Sequence, residues 1–393
     1  MPSVQLEQFT SEVMELVPQP ELDVIERRTA RRRVRRRAAA AALSVVVASS
    51  AAAVSLSTYD KGGPELSASA VPAACRVTGQ LALPAGYEQV GVAAADRTGR
   101  YMVGTGFFPK DRTVHLVWWH DGVPRTAGVA ASFLMPIGVN TEGTIAGHTR
   151  SIGSTDEGAA WVYRDGRLRN LPTPAGLHSA SAAGINERGD VAGVARDASG
   201  AGVAVVWPAA TPDRPRVLAA PGPVHVDGIG DDGTVIGRLT DGRLLLADAG
   251  RGYVWSPDGR GRELAVPDGW TRAQAVSIEA GWILGYVDRE GAVALARWRL
   301  DGGTVRVLSR VRGDFVGTTA NGWSVVWGRT PLLADVDGRV KQVTGHDKAT
   351  GDRMILGGGA VWVVGGDGGG LAVVGNALSA AGAIRPVRWR CGA

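Results

Sequence analysis

A motif that returns about every 45 residues constrains this chain more than any other feature of it. Two copies show it best: GVNTEGTIAG at residues 138–147 and GINERGDVAG at residues 184–193. Each has an Asn, a Gly three residues later, and a short β-branched run that closes on a second Gly. The turn glycines fall at Gly99, Gly143, Gly189, Gly233, Gly281, Gly322 and Gly370, at intervals of 44, 46, 44, 48, 41 and 48 residues. A period of this length means that one repeat is one supersecondary unit, stacked on its neighbours in a solenoid, propeller or other array.

The local chemistry of a copy selects among those. An apolar strand runs into the Asn or Asp turn, where a positive φ costs Gly little. A second strand follows, as at Thr144-Ile145-Ala146 or Asp190-Val191-Ala192. A third ends on Trp161, Trp207, Trp255, Trp298 or Trp389, with Trp118 and Trp119 together in the first copy. Tight turns at Asp165-Gly166, Asp258-Gly259, Asp301-Gly302 and Asp337-Gly338 lead to a fourth. Such a meander cannot bury both faces alone, but seven stacked radially can, with Trp, Val and Leu in the seams. The expected fold is therefore all-β: a seven-bladed β-propeller of four-stranded antiparallel blades over residues 73–393. The sixth copy departs from the pattern, with Leu332 and Leu333 in place of the Trp and Val326-Trp327 in place of the closing Gly. The Gly-rich stretch 357–370 lacks the Gly-Lys-Ser or Gly-Lys-Thr ending of a phosphate loop and reads as tight strands and turns.

The last copy stops just after its Trp, at RPVRWRCGA, and so lacks a fourth strand. The start of the domain supplies one: GQLALP at residues 79–84 is similar to GRLRNLP at residues 166–172, so the segment from Cys75 to Leu83 is expected to complete the last blade. The chain's two cysteines, Cys75 and Cys391, lie on these closing segments. They read as a disulfide, with two buried free thiols as the alternative.

Ahead of the repeats, residues 38–59 carry no charge. As a helix they would extend about 33 Å, enough to cross a hydrocarbon core of about 30 Å. A signal-anchor and a cleaved signal peptide compete here; ordinary signals are only about 15–30 residues in all, which favours the anchor. Eight arginines between Arg27 and Arg37 hold the N-terminus in the cytoplasm and sit against acidic lipid. The expected topology is single-pass, with the propeller extracytoplasmic, joined through a linker at residues 60–72. Leu6, Phe9, Val13 and Leu16 form one apolar stripe, so residues 4–17 read as an amphipathic helix that lies on the membrane or docks a cytoplasmic regulator.

Residues 1–37 hold eight basic and six acidic side chains, which leaves 35 basic against 32 acidic in the rest. That balance excludes a nucleic-acid footprint. Six scattered histidines give no metal spacing, no nucleophile elbow is present, and Asp231-Asp232 falls at a repeat turn. No cofactor and no catalytic residue is implied; three or more carboxylates gathered at the channel would argue for an enzyme. What remains is a binding surface on the variable loops, for a protein, peptide or glycan outside the cell. The candidates there are Phe107, Phe108, His148, Arg150, Trp270 and Arg272, with packing inside the blade as the alternative reading of each aromatic.

The repeat resembles the bacterial extracellular HAF-type repeats, whose signature is Gly-Ile-Asn, a turn Gly, Val-x-Gly and a later Trp-x-x-Asp-Gly. GINERGDVAG and GVNTEGTIAG carry the likeness, with SIEAGWILG and ADRTGRYMVG more loosely, over residues 86–391. The resemblance implies a secreted or surface propeller and brings no catalytic residue with it. The layout of a short cytoplasmic segment, an Arg run, one span and an outer propeller is similar to that of membrane proteins that accompany extracytoplasmic-function sigma factors.

Overall fold

The computed structural model describes most of residues 74–308 and the strands of residues 314–392. Residues 1–73, and with them the expected anchor, linker and cytoplasmic helix, lie outside the described residues, as do Gly322 and Gly370. The described residues form strands and turns without a helix, so none of their elements is a helix long and apolar enough to cross a membrane.

After β1 (Ala74–Gln80), six four-stranded antiparallel sheets follow in chain order. The first is β2 (Gln89–Ala95), β3 (Tyr101–Phe108), β4 (Thr113–His120) and β5 (Val123–Thr126). The second is β6 (Phe133–Val139), β7 (Ile145–Arg150), β8 (Glu157–Arg164) and β9 (Arg167–Asn170). The third is β10 (Ser179–Ile185), β11 (Val191–Arg196), β12 (Gly202–Trp207) and β13 (Arg216–Leu218). The fourth is β14 (Val224–Ile229), β15 (Val235–Leu239), β16 (Arg251–Trp255) and β17 (Gly261–Glu263). The fifth is β18 (Arg272–Glu279), β19 (Trp282–Arg289), β20 (Ala292–Arg299) and β21 (Val305–Leu308). The sixth is β22 (Asp314–Thr318), β23 (Ser324–Trp327), β24 (Leu332–Ala334) and β25 (Val340–Gln342). A further sheet joins the two ends of the repeat region. In it β1 pairs with β29 (Ile384–Gly392), β29 with β28 (Leu371–Leu378), and β28 with both β26 (Arg353–Met354) and β27 (Trp362–Gly365). Each blade's first strand touches the first strand of the next, and β27 touches both β22 and β2. This is the arrangement of a β-propeller, first strands innermost.

The repeat signature has a physical cause. The first strand of each of the six four-stranded sheets has a β-bulge at the same point, with Ala93, Ile137, Ala183, Asp227, Val276 and Val316 as the extra residues. A bulge leaves one residue out of the ladder and sharpens the local twist. In five blades the residue before the bulge pairs with the closing Gly of the second strand: Gly104, Gly147, Gly193, Gly237 or Gly285. A Cβ on any of these would lie 1.8–2.4 Å from the carbonyl oxygen of Gly91, Met135, Ser181, His225 or Gln274. The closing Gly is the residue over which the bulged strand lies. In the sixth blade Val326 holds that register position, opposite Phe315.

The seams carry the core. Trp119, Trp207, Trp255 and Trp298 are buried and face the preceding blade. Their indole N–H groups donate to the carbonyls of Ala82, Pro172, Ala219 and Ala265 at 2.7–2.8 Å. Each acceptor follows a buried leucine at the outer edge of that blade (Leu81, Leu171, Leu218, Leu264). Trp161 does not belong to this set. Register places Tyr163, opposite Ile145, where the other blades have Trp, and Trp161 sits two residues earlier, opposite Gly147. Positions two apart share a strand face, so Trp161 still fills the seam, but its Nε1 is buried without a hydrogen-bond partner. In the sixth blade the Trp position is held by Ala334, opposite Ser324, and not by Leu332 or Leu333.

Described turn glycines Gly99, Gly143, Gly189, Gly233 and Gly281 have φ between 71° and 91°. Asp121-Gly122 and Asp165-Gly166 have positive φ at both residues, as two-residue hairpin turns require. At the ends of the chain, β1 pairs with β29 with Cys75 opposite Cys391. Leu81 and Val374 pack with Val90, Met102 and Trp119 of the first blade.

Candidate functional site

The six loop residues singled out from sequence lie on the face made by second-to-third strand loops and blade connections, but on three different blades. Phe107 is 42% exposed. Phe108 is half-buried between Tyr87 and His115, with ring centroids at 5.0 and 5.5 Å, and the Tyr87 hydroxyl lies 2.5 Å from His115 Nδ1. Trp270 lies under the Arg289 guanidinium at 5.1 Å, and Arg272 Nε donates to Asp288 at 3.0 Å. His148 has a packing role: its Nδ1 lies 3.3 Å from the Ala182 carbonyl oxygen of the next blade. Asn376 holds the corresponding place after its own strand's Gly and bonds both the N–H and C=O of Val92. Arg150 pairs through its backbone with Glu157, and its side chain lies outside the described residues. Among the described contacts, these residues do not converge.

A different set does. At the opposite face, where each first strand turns into the second, side chains from four blades meet. Arg97 of the first blade reaches Glu187 of the third (Nε to Oε1, 3.4 Å) and Asp231 of the fourth (Nη1 to Oδ2, 3.0 Å). Glu187 Oε2 accepts the Thr141 N–H at 2.9 Å and its hydroxyl at 2.5 Å from the second blade. Asp231 Oδ1 accepts the Glu187 N–H at 3.0 Å. Thr141, Glu187 and Asp231 thus form one relay, each carboxylate fixed by the backbone of the blade before it. Beneath it, Asn140 and Asn186 donate to the carbonyls of Asn186 and Gly230, one blade on in each case.

Glu279 of the fifth blade completes this group. Register puts it where Asp96, Asn140 and Asn186 stand in other blades. Those residues accept a backbone N–H from their own turn: Tyr101, Thr144 and Asp190 respectively. The fifth turn is shortened to Ala280-Gly281, and the Glu279 carboxyl makes no hydrogen bond among the described residues. Burial, then the charge of Asp231, push its carboxyl up to about 7; Arg97 opposes the shift and Glu187 adds to it. Two carboxylates therefore share one guanidinium, and a third lies within their field.

Along the channel wall, the bulge residues Ala93, Ile137, Ala183 and Val276 are half-buried and apolar. Asp227 is the exception. Its side chain is 14% exposed, Oδ1 accepts from Arg238 at 3.1 Å and lies 3.5 Å from His225 Nε2, and Oδ2 is buried without a partner. Burial pushes this carboxyl up to about 7 against the pull of Arg238.

Sequence reasoning missed both groups. Asp231 does not act in its own turn, as its position suggests: Asp232 does that, accepting the Thr234 N–H at 2.9 Å, while Asp231 bonds the preceding blade. Reading down the position after Asp96, Asn140, Asn186 and, in the fourth copy, Gly230 gives Arg97, Thr141, Glu187 and Asp231, a run of polar residues that packing does not require. That column was the available signal.

No family model matches the chain, and no curated protein matches it. Among solved structures it is similar to oligogalacturonate lyase from Vibrio parahaemolyticus, over 79% of this chain and 92% of that one, at 9% identity and a TM-score of 0.55. It is also similar to the β-propeller domain of the Trilobed protease from Pyrococcus furiosus, over 77% and 94%, at 14% identity and a TM-score of 0.50. TolB from Acinetobacter baumannii aligns over 66% and 64%, at 14% identity and a TM-score of 0.41. The fold is a β-propeller. At these identities the likeness carries the fold and nothing further.

Proposed function

We propose that the chain is a closed, seven-bladed propeller that binds a ligand through a cationic group seated at the mouth of its channel, without transforming it. One observation carries this reading: Glu187 and Asp231, from two blades, both pair with the guanidinium of Arg97, and the half-buried Glu279 of a third blade feels the charges of all three. An amine or guanidinium from a ligand would complete the charge balance and release the cost of ionising Glu279. The HAF-type likeness of the repeat agrees with an extracytoplasmic binding role. Residues 38–59 serve as the signal-anchor that holds the propeller at the outer surface of the cell membrane, and a Cys75–Cys391 disulfide, on directly opposed strand positions, locks the ring. The helix of residues 4–17 is the part that would report binding to a cytoplasmic regulator such as a sigma factor; a two-hybrid screen with residues 1–37 that repeatedly captures none removes that role.

The ligand site is tested with the full chain and a fluorescent tri-arginine peptide at low salt. Affinity should rise as pH increases through about 7, as Glu279 ionises, and Glu279→Gln should weaken binding several-fold and flatten the profile. Absence of binding from pH 6 to 8 overturns the reading. A second reading, a propeller hydrolase or lyase, is favoured by the gathering of Glu187, Asp231 and Glu279, the clustering that argues for an enzyme, in which a carboxyl pushed up to about 7 suits proton transfer. Turnover of any glycan or peptide substrate that Glu279→Gln abolishes, with affinity kept, would select it.

A further inference from the structure

The outermost strand of each blade carries a second regularity. Arg125, Arg169, Arg216, Arg262, Arg306 and Lys341 occupy one register position, opposite Trp118, Val162, Val206, Val254, Arg297 and Leu333. The six outer strands β5, β9, β13, β17, β21 and β25 together hold seven basic residues and one acidic, Glu263. The chain beyond residue 37 is nearly balanced, at 35 basic to 32 acidic, so this excess belongs to the rim.

Register partners share a sheet face, and Trp118, Val162, Val206 and Val254 face the seam to the following blade. Arg125, Arg169, Arg216 and Arg262 therefore stand over the outer openings of seams, and Arg306 and Lys341 hold the same register position in the next two blades. Arg169 pairs from there with Asp213 of the third blade, and Arg125 lies 5.1 Å over the Trp118 ring. The five arginines are exposed. The side chains of Arg216 and Arg262 form no ion pair or hydrogen bond among the described residues. Protecting open strand edges asks for a charge, most often Lys; Arg in five copies out of six, all at one register position, goes beyond that.

We infer that this rim is a polyanion-binding belt, which takes a flexible phosphate-bearing chain along successive seam openings. A guanidinium on a rigid strand suits a phosphate oxygen pair, and equal repeats give such a chain several weak contacts that add through effective concentration. A bilayer is flat and meets only part of a circumference, which favours the flexible chain.

The test uses the full chain and long-chain polyphosphate. The variant Arg125→Glu/Arg216→Glu/Arg262→Glu keeps the edges charged; Arg100→Glu/Arg164→Glu/Arg260→Glu makes the same charge change at exposed residues of the turn face (57%, 57% and 90% exposed). The rim variant should bind at least tenfold more weakly, with the slope of log affinity against log salt reduced by about 2, and the turn-face variant should lose less than threefold. Should the Glu rim variant fail to fold, the corresponding Gln variant is read in its place. Equal losses in the two variants overturn the belt, as does a wild-type chain that ignores polyphosphate and binds phosphatidylglycerol vesicles.

Discussion

Asp227 occupies a position at which five other blades place Ala, Ile or Val, and the difference is measurable. Its folded carboxyl titrates near 7 and its unfolded one near 3.8, so between those values the folded state holds the extra proton. Stability then falls as pH rises through that window, by on the order of 4 kcal/mol for this group. Glu279 acts in the same direction. Asp227→Asn should match the wild type near pH 4 and exceed it at pH 8 in urea denaturation; a variant that is less stable at pH 8 would show that the ion pair with Arg238 outweighs burial. Nothing in the sequence near Val226-Asp227-Gly228 marks this residue. It becomes visible once the bulge is located, because only register shows which residue of each first strand leaves the ladder.

At the scale of elements, the turns were the most legible part. An Asn or Asp three residues before a Gly is a local signal, and the described glycines have the positive φ it implies. Trp161 shows where local signals end. Residue type and distance from the closing Gly both align it with Trp207, and it is the ladder, which sets Trp161 opposite Gly147 but Trp207 opposite Val191, that separates them. The channel-mouth carboxylates were illegible for a related reason: Arg97 bonds residues 90 and 134 positions away, and no spacing rule within one repeat reaches that far. The shortened fifth turn leaves a further mark. Ala280 has φ 47°, a conformation that costs a residue with a Cβ about 1 kcal/mol or more. Ala280→Gly should raise stability by about 0.5–1 kcal/mol after the entropy of the unfolded Gly is counted, read as a shift in the denaturation midpoint.

For the whole molecule, closure depends on a strand from the opposite end of the repeats. If Cys75 and Cys391, opposed in that pairing, are linked, Cys391→Ser should lower stability by about 2–4 kcal/mol, and a reducing agent should bring the wild type to the same value. No change in either case would leave the β1–β29 ladder as the sole lock. The same pairing sets an order of events in time. Because β1 is made first and its partner β29 last, with residues 81–383 between them, the opening strand waits for the whole ring to be synthesised. At about 5–20 residues per second that wait is roughly 15–60 s. Throughout it, β1 is an unpaired edge in search of a partner, and a chain interrupted after the fifth or sixth sheet keeps that edge for good. Completion of the last blade is therefore a check that every strand between β1 and β29 has been made, which no earlier stage of folding provides.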